Sequence, residues 1–278
     1  MSMSDTQPIP QPLVHESGLV LQRAPRVYLV GMQTINQAEL DHFLADEEAQ
    51  HWTTDTDEAA QKLSEVAGRI CYMSFARPRP GGNSAYLRNI IEVGHGSVLE
   101  HAVYNFVLTG ISRSLTHELI RHRAGFGYSQ LSQRYVDESH CRFVEPHPIA
   151  NDPELHALFV QTVAQCQKAY AELTSKLAHR MESQFPDLSA TDRRKMARQA
   201  ARSVLPNAAE TKIFVTVNAR ALRHFFVLRG NIHAEDEIRQ LALAMFEVVK
   251  VRSPNFFSDF ERRTEAGKEV LYTPHPKV

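Results

Sequence analysis

The chain has 278 residues, room for one large domain or two small ones at about 150 residues each. Hydrophobic residues make up 43% and charged residues 23%, which excludes wholesale disorder, a collagen-like repeat and a bundle of membrane-spanning helices; no apolar run nears the roughly 20 residues such a helix needs. Lys plus Arg (31) and Asp plus Glu (32) leave a formal net charge of -1, so an anion site must be local, with no bulk attraction to nucleic acid or acidic lipid.

In chain order, residues 1–24 carry Pro8, Pro10 and Pro12 among polar residues without a sustained period and read as a mobile arm. The opening Met-Ser-Met-Ser-Asp has no basic stretch leading into an apolar one, so no secretory signal is expected. Arg26 to Gly31 is β-branched and aromatic and predicts a strand. A helix is expected over 56–72. The stretch from Arg77 to Asn83, with two prolines and two glycines, predicts a loop. Residues 102–109 read as a strand and 114–120 as a helix running into Arg121-His122-Arg123. Apolar residues then recur at three and four from Pro153 to Gln184 (Leu155, Leu158, Phe159, Val163, Cys166, Tyr170), which predicts one long amphipathic helix. A second helix over 192–205 is stopped by Pro206. Lys212 to Asn218 is strand-like, 221–228 helical, and Ile238, Leu241, Met245 and Val248 define a last helical face. Strands mixed with long helices in no regular alternation predict an α+β fold, an antiparallel-rich sheet with long helices in a single domain over 25–278.

Dinucleotide-binding, P-loop, nucleophile-elbow and zincin signatures are all missing. His117 and His122 lie five apart, about 140° around a helix, and do not share a face, so no metal site is expected. Cys71, Cys141 and Cys166 are odd in number and lack CxxC spacing, which excludes a fully paired disulfide framework and a four-cysteine zinc site and fits a reducing cytoplasm. Cys141, between His140 and Arg142, is the sole thiolate candidate by context, and even there an ordinary, partly buried thiol is expected.

The informative segment runs from Arg121 to Tyr135. It holds three arginines, a histidine, two serines and two glutamines, with glycines for tight turns. Such side chains suit phosphates and planar heterocycles, since arginine presents a fork of donors. By composition alone a solvated basic loop is an equal reading.

Arg121-His122-Arg123, a short spacer, then Ser132-Gln133-Arg134 and Tyr135 resembles the signature of the flavin-dependent thymidylate synthases. Gly94-His95-Gly96-Ser97-Val98-Leu99-Glu100-His101, Arg202-Ser203-Val204-Leu205-Pro206, Thr216-Val217-Asn218-Ala219-Arg220, and Leu228-Arg229 with His233-Ala234 follow that family's order, so the resemblance covers about residues 26–260. One departure stands out: the spacer 124–131 is one residue longer than the family's usual length, with the extra residue among Ala124 to Gly127.

The resemblance implies reductive methylation of deoxyuridine monophosphate to thymidylate, with methylenetetrahydrofolate as carbon donor and NADPH as reductant through FAD, in a cytoplasmic homotetramer. It implies that Arg121, His122 and Arg123 line the flavin with Ser97, Gln130, Asn218, Arg220 and His224, and that His95 lies near flavin and folate. Glu118, Ser132, Arg134 and Arg202 match nucleotide-binding positions, to which Arg121 and Gln130 also contribute. Arg229 matches the arginine that activates the uracil and is the expected catalytic residue. Spacing alone would instead place Arg202 on an exposed basic stripe with Arg194 and Arg198, and Tyr135 either stacks on a ring or packs. The alternatives are the same chemistry on another uracil nucleotide such as UMP, and a noncatalytic nucleotide- or RNA-binding protein with Tyr128 and Tyr135 as stacking platforms.

Overall fold

The computed structural model describes residues 11–76 and 80–278. Two short strands, β1 (Leu13–Val14) and β2 (Val20–Gln22), precede β3 (Arg26–Met32). Helices α1 (Gln37–Asp46), α2 (Ala59–Ile70) and α3 (Gly82–Glu92) lead through a 3-10 turn (Gly96–His101) to β4 (Val103–Ser112). Next come α4 (Arg113–Leu119), β5 (Phe126–Gln130), β6 (Phe143–Val144), α5 (His147–Ala150), the long α6 (Pro153–Gln184) and α7 (Ala190–Ala201). A 3-10 turn (Arg202–Val204), β7 (Glu210–Asn218), α8 (Ala219–Arg229), α9 (Asp236–Arg252) and the hairpin β8 (Glu261–Glu265) and β9 (Lys268–Tyr272) complete the chain. The fold is α+β.

Four strands hydrogen-bond in the order β3-β4-β7-β5. Burial alternates along most of β4 and through β7, as expected of strands with one face packed. The expected strands and the helix over 153–184 are present. Asp152 sets the start of that helix: its carboxylate accepts from the backbone N–H groups of Glu154 and Leu155, with Pro153 at the first helical position. The loop expected from Arg77 to Asn83 differs. Residues 77–79 lie outside the described residues, and α3 already begins at Gly82, with Asn83 Nδ2 donating to Glu65 Oε2 at 2.8 Å.

The described residues cluster into two compact units that alternate along the chain. One comprises residues up to Arg26, Leu108–Leu119 and Ser129–Ile213. Its core joins Leu19, Leu21, Cys141, Phe143, Val160, Val163 and Ala209. Here β2 pairs in parallel with β6 and antiparallel with β1. The arm expected over 1–24 lies outside the described residues from 1 to 10; from Leu19 onward the segment is seated, with Leu21 fully buried. Arg23 holds it by donating from Nε and Nη2 to Glu145 Oε2 at 2.9 and 2.7 Å.

The other unit comprises Val27–Val107, Ile120–Tyr128 and Phe214–Val278. Phe226 of α8 meets Phe246 of α9, Phe257 and Phe260 edge to face, and Phe246 lies tilted against Phe260. Each buried ring contributes roughly 1.5–3 kcal/mol of transfer free energy. Arg223 of α8 is fully buried and forks onto Asp259 at 2.6 and 2.8 Å, which fixes the rotation of the helix. The faces of α8 that remain outward carry the site.

Candidate functional site

Arg121, His122 and Arg123 leave the end of α4 and enter a turn rather than continue the helix. Phe126 N–H closes the turn onto Arg123 C=O at 3.3 Å, and Gly125 has φ of 73°, a conformation that only glycine adopts at no cost. The Gly125 carbonyl accepts from Asn218 N–H at 3.1 Å. Asn218 in turn caps α8, its Oδ1 accepting from Ala221 N–H at 2.8 Å. A side chain on Gly125 would meet both Ala221 Cβ and Asn218 Nδ2 at 2.7 Å. Two sequence motifs nearly a hundred residues apart are thereby held in backbone contact.

Between them lies a cleft of about 270 Å³, lined by Arg121, His122, Arg123 and Phe126 on one side and His224 and Arg229 on the other. Arg229 Nε donates to His122 Nε2 at 3.0 Å. Burial, then the Arg229 cation, then His224, push the His122 pKa down to about 4, so its imidazole is neutral at physiological pH. Phe225 meets the His122 ring edge-on at 5.1 Å, Phe126 stacks on Tyr128 at 5.6 Å, and Tyr128 Oη donates to the His122 carbonyl at 2.7 Å. Burial raises the Tyr128 phenol above its ordinary range, so it stays a donor.

Arg220, also on α8, pairs with Glu100 at 2.5 Å, and its Nε would be 2.9 Å from a side chain at Gly96. That glycine therefore lets Arg220 approach the 3-10 turn. His95 precedes the turn and Ser97 lies within it, both exposed.

The first unit gathers the remaining expected residues. Gln130 ends β5, its Nε2 donating to Thr116 Oγ1 at 3.1 Å and Thr211 Oγ1 at 3.3 Å. Glu118 is on α4; Ser132 and Arg134 share the turn after β5, where Arg134 N–H donates to Ser132 Oγ at 3.4 Å. Arg202 is not the third member of an exposed stripe. The helix gives way to a 3-10 turn at Arg202, while Arg198 is spent on Tyr135 C=O and Asp137 Oδ2, at 2.8 and 3.1 Å. Lys195 lies 4.8 Å from the Tyr135 ring and Arg134 6.0 Å, so that ring sits between two cations.

One residue here escapes sequence reasoning. Arg113 opens α4 with its Nη1 buried and without a hydrogen-bond partner, and burial followed by the nearby Arg202 cation lowers its pKa. Arg134 Nε is buried and unpartnered too. Buried guanidinium donors without acceptors are costly unless an anion completes them, and Arg113 lies close enough to Arg202 for the two cations to interact. The only available cue was an arginine directly after the buried run Gly110-Ile111-Ser112 of β4.

Cys141 is buried, and burial pushes its thiol up to about 12, so its basic neighbours in sequence do not make it a thiolate. Among the described residues no group of three or more His, Cys, Asp or Glu side chains is placed to hold a metal ion, and no helix is long and apolar enough to cross a membrane.

The family model described as thymidylate synthase complementing protein matches residues 53–255. The flavin-dependent thymidylate synthase of Mycobacterium sp. (strain JLS) is 53% identical over 227 residues, covering 80% of this chain and 89% of that protein. Those of Mycobacterium sp. (strain KMS) and Mycolicibacterium gilvum (strain PYR-GCK) are 52% and 51% identical, over 80% of this chain and 89% and 88% of their own.

Proposed function

The chain belongs to the flavin-dependent thymidylate synthase family, and on that premise we propose that it uses FAD, NADPH and methylenetetrahydrofolate to convert deoxyuridine monophosphate to thymidylate, as a cytoplasmic homotetramer. The observation that carries this reading is the convergence of Arg121-His122-Arg123 with His224 and Arg229 on one cleft.

Its chemistry fits a flavin dinucleotide. Three arginines can neutralise a diphosphate, and His122, Phe126 and Phe225 offer flat or edge-on contacts to a ring. The volume of about 270 Å³ is at the low end for ligand pockets and takes part of such a molecule. On this reading Arg121, His122, Arg123, Asn218, Arg220 and His224 hold the flavin, with Ser97, Gln130 and His95 alongside. A bound flavin supplies the reducing equivalents for the transferred carbon.

The remaining steps are assigned to the chain's own side chains. Arg134, Ser132 and Arg202, joined by Arg113, bind the nucleotide phosphate, and Glu118, Gln130 and Arg121 help orient it. Arg229 places a permanent cation near the uracil, where it draws charge toward the carbonyls and N3 and so raises the reactivity of C5 and C6. The buried Cys141, its thiol protonated at neutral pH, supports a route with no enzyme thiolate.

An absorption spectrum of the purified protein before and after anaerobic NADPH tests this function. A yellow protein that bleaches, more quickly with deoxyuridine monophosphate than with UMP, is expected. Colourless protein that FAD does not reconstitute contradicts it, and faster bleaching with UMP moves the acceptor to the ribonucleotide.

A further inference from the structure

The side chain expected to act on the uracil is long and flexible. Arg229 occupies the last position of α8, and the helix stops at Gly230, whose N–H bonds to Phe226 C=O at 2.8 Å. A side chain at Gly230 would meet Leu271 Cβ at 2.9 Å. Packing thus fixes where Arg229 leaves the backbone. It does not fix the guanidinium at the far end of four rotatable bonds, whose ordering costs up to about 2 kcal/mol.

The structure assigns that task to His122: we propose that its Nε2 accepts the Arg229 Nε–H and orients the guanidinium plane, making His122 a positioning residue for methyl transfer as well as part of the flavin cleft. This rests on the reading of the chain as a flavin-dependent thymidylate synthase and deepens the part played by Arg229. The contact is 3.0 Å. With Nε engaged, the edge formed by Nη1 and Nη2 is directed away from His122, because the guanidinium is planar. The acceptor is itself held. Phe225 sits edge-on to the imidazole at 5.1 Å, Phe126 flanks it at 5.8 Å, and Tyr128 Oη binds the His122 carbonyl at 2.7 Å.

The arrangement requires a particular protonation state. An arginine N–H can be accepted only by an unprotonated ring nitrogen, so Nε2 must carry the lone pair and Nδ1 the proton. Among the described residues, the charged and titratable groups about His122 are Arg229, His224, Arg121, Arg123 and Tyr128, and none of those lining the cleft is a carboxylate. The Arg229 cation disfavours an imidazolium. Burial, Arg229 and His224 together keep the ring neutral until about pH 4, and protonation would place two cations in contact. The orienting contact therefore persists across the neutral range and is lost in acid.

Nitrogen-15 NMR of histidine-labelled protein, with the His122 resonances identified by their loss in His122→Gln, tests the contact directly. Expected is an unprotonated Nε2 at neutral pH that titrates near 4, and an upward move of that titration in Arg229→Gln as the cation is removed. A protonated Nε2 at pH 7, or a titration that Arg229→Gln leaves in place, overturns the assignment whether or not the protein makes thymidylate. Turnover tests its consequence. In flavin-loaded protein, His122→Leu should lower kcat about ten- to a hundredfold, the factor for losing one hydrogen bond to a charged group. His122→Gln, whose side-chain carbonyl can still accept, should recover most of that loss. If both variants lose kcat equally with flavin bound, or if saturating FAD alone restores His122→Leu, the role is cofactor holding only and the inference fails. Absence of thymidylate formation in the parent, with the NMR result as expected, would instead remove the functional reading.

Discussion

A single guanidinium carries most of the chemistry proposed here. Arg229 donates to a neutral ring, whereas earlier on the same helix Arg220 pairs with Glu100 and Arg223 with Asp259. A guanidinium held beside a bound uracil can stabilise charge that develops on it, and removing one such donor from a water-poor site typically costs about 10²–10³ in rate. Arg229→Ala should therefore retain flavin and lose methyl transfer by about that factor. Arg229→Lys should rescue poorly, because an ammonium lacks both the Nε–H that His122 accepts and the planar fork. Flavin absorbance and kcat measured on the same preparations check this, and near-normal kcat in the alanine variant counts against the assignment. At this scale the sequence was most readable where a motif imposes a pattern. His122 and His224 could be assigned to the flavin and Arg229 to the nucleotide by family order, whereas Arg113 is one arginine at a strand end and becomes visible only when Arg202 and the burial of its Nη1 are known.

The turn between α4 and β5 shows how an element can absorb an additional residue. The spacer after Arg123 is longer than the family's usual one, and its geometry depends on Gly125, which takes a positive φ and lies against the start of α8. Gly127 differs. The nearest atom to a side chain there would be Thr216 Cβ at 3.7 Å, an ordinary contact. Gly125→Ala should destabilise the protein by about 1–3 kcal/mol, from a strained φ plus displacement of Asn218, while Gly127→Ala should change little. Urea unfolding midpoints of the two variants test the difference, and equal midpoints would mean that the turn tolerates a side chain. Elements with strong periodicity, such as α6 and α9, were readable from apolar spacing. Others lack that signal for physical reasons. All five residues of β8 are exposed, so no apolar alternation marks the hairpin; Ala266 and Gly267, both at positive φ, make its turn. Residues Gly81 and Gly82 read as loop, yet α3 starts there, where the distant Asp55 carboxylate accepts from Asn83 N–H at 2.8 Å. Strands as short as β1, β2 and β6 are fixed by pairing and carry too few residues for a period.

Across the whole molecule, a net charge of -1 conceals local concentrations of cation. One group, Arg121, Arg123 and Arg229, lines the cleft on α8; another, Arg113, Arg134 and Arg202, belongs to the unit built on α6 and α7. Bulk composition thus counted against a polyanion-binding protein but could not locate either group. Among the cysteines, context singles out Cys141, and its burial agrees with the ordinary thiol expected there. The central claim is that reduced flavin, without an enzyme thiolate, drives methyl transfer to the nucleotide. Anaerobic single-turnover formation of thymidylate by a protein with Cys71, Cys141 and Cys166 all replaced, folded and loaded with FAD, tests it most directly. The account predicts thymidylate at a rate within about tenfold of the parent, a barrier change of about 1.4 kcal/mol or less. Abolished turnover that returns when Cys141 alone is restored would contradict it.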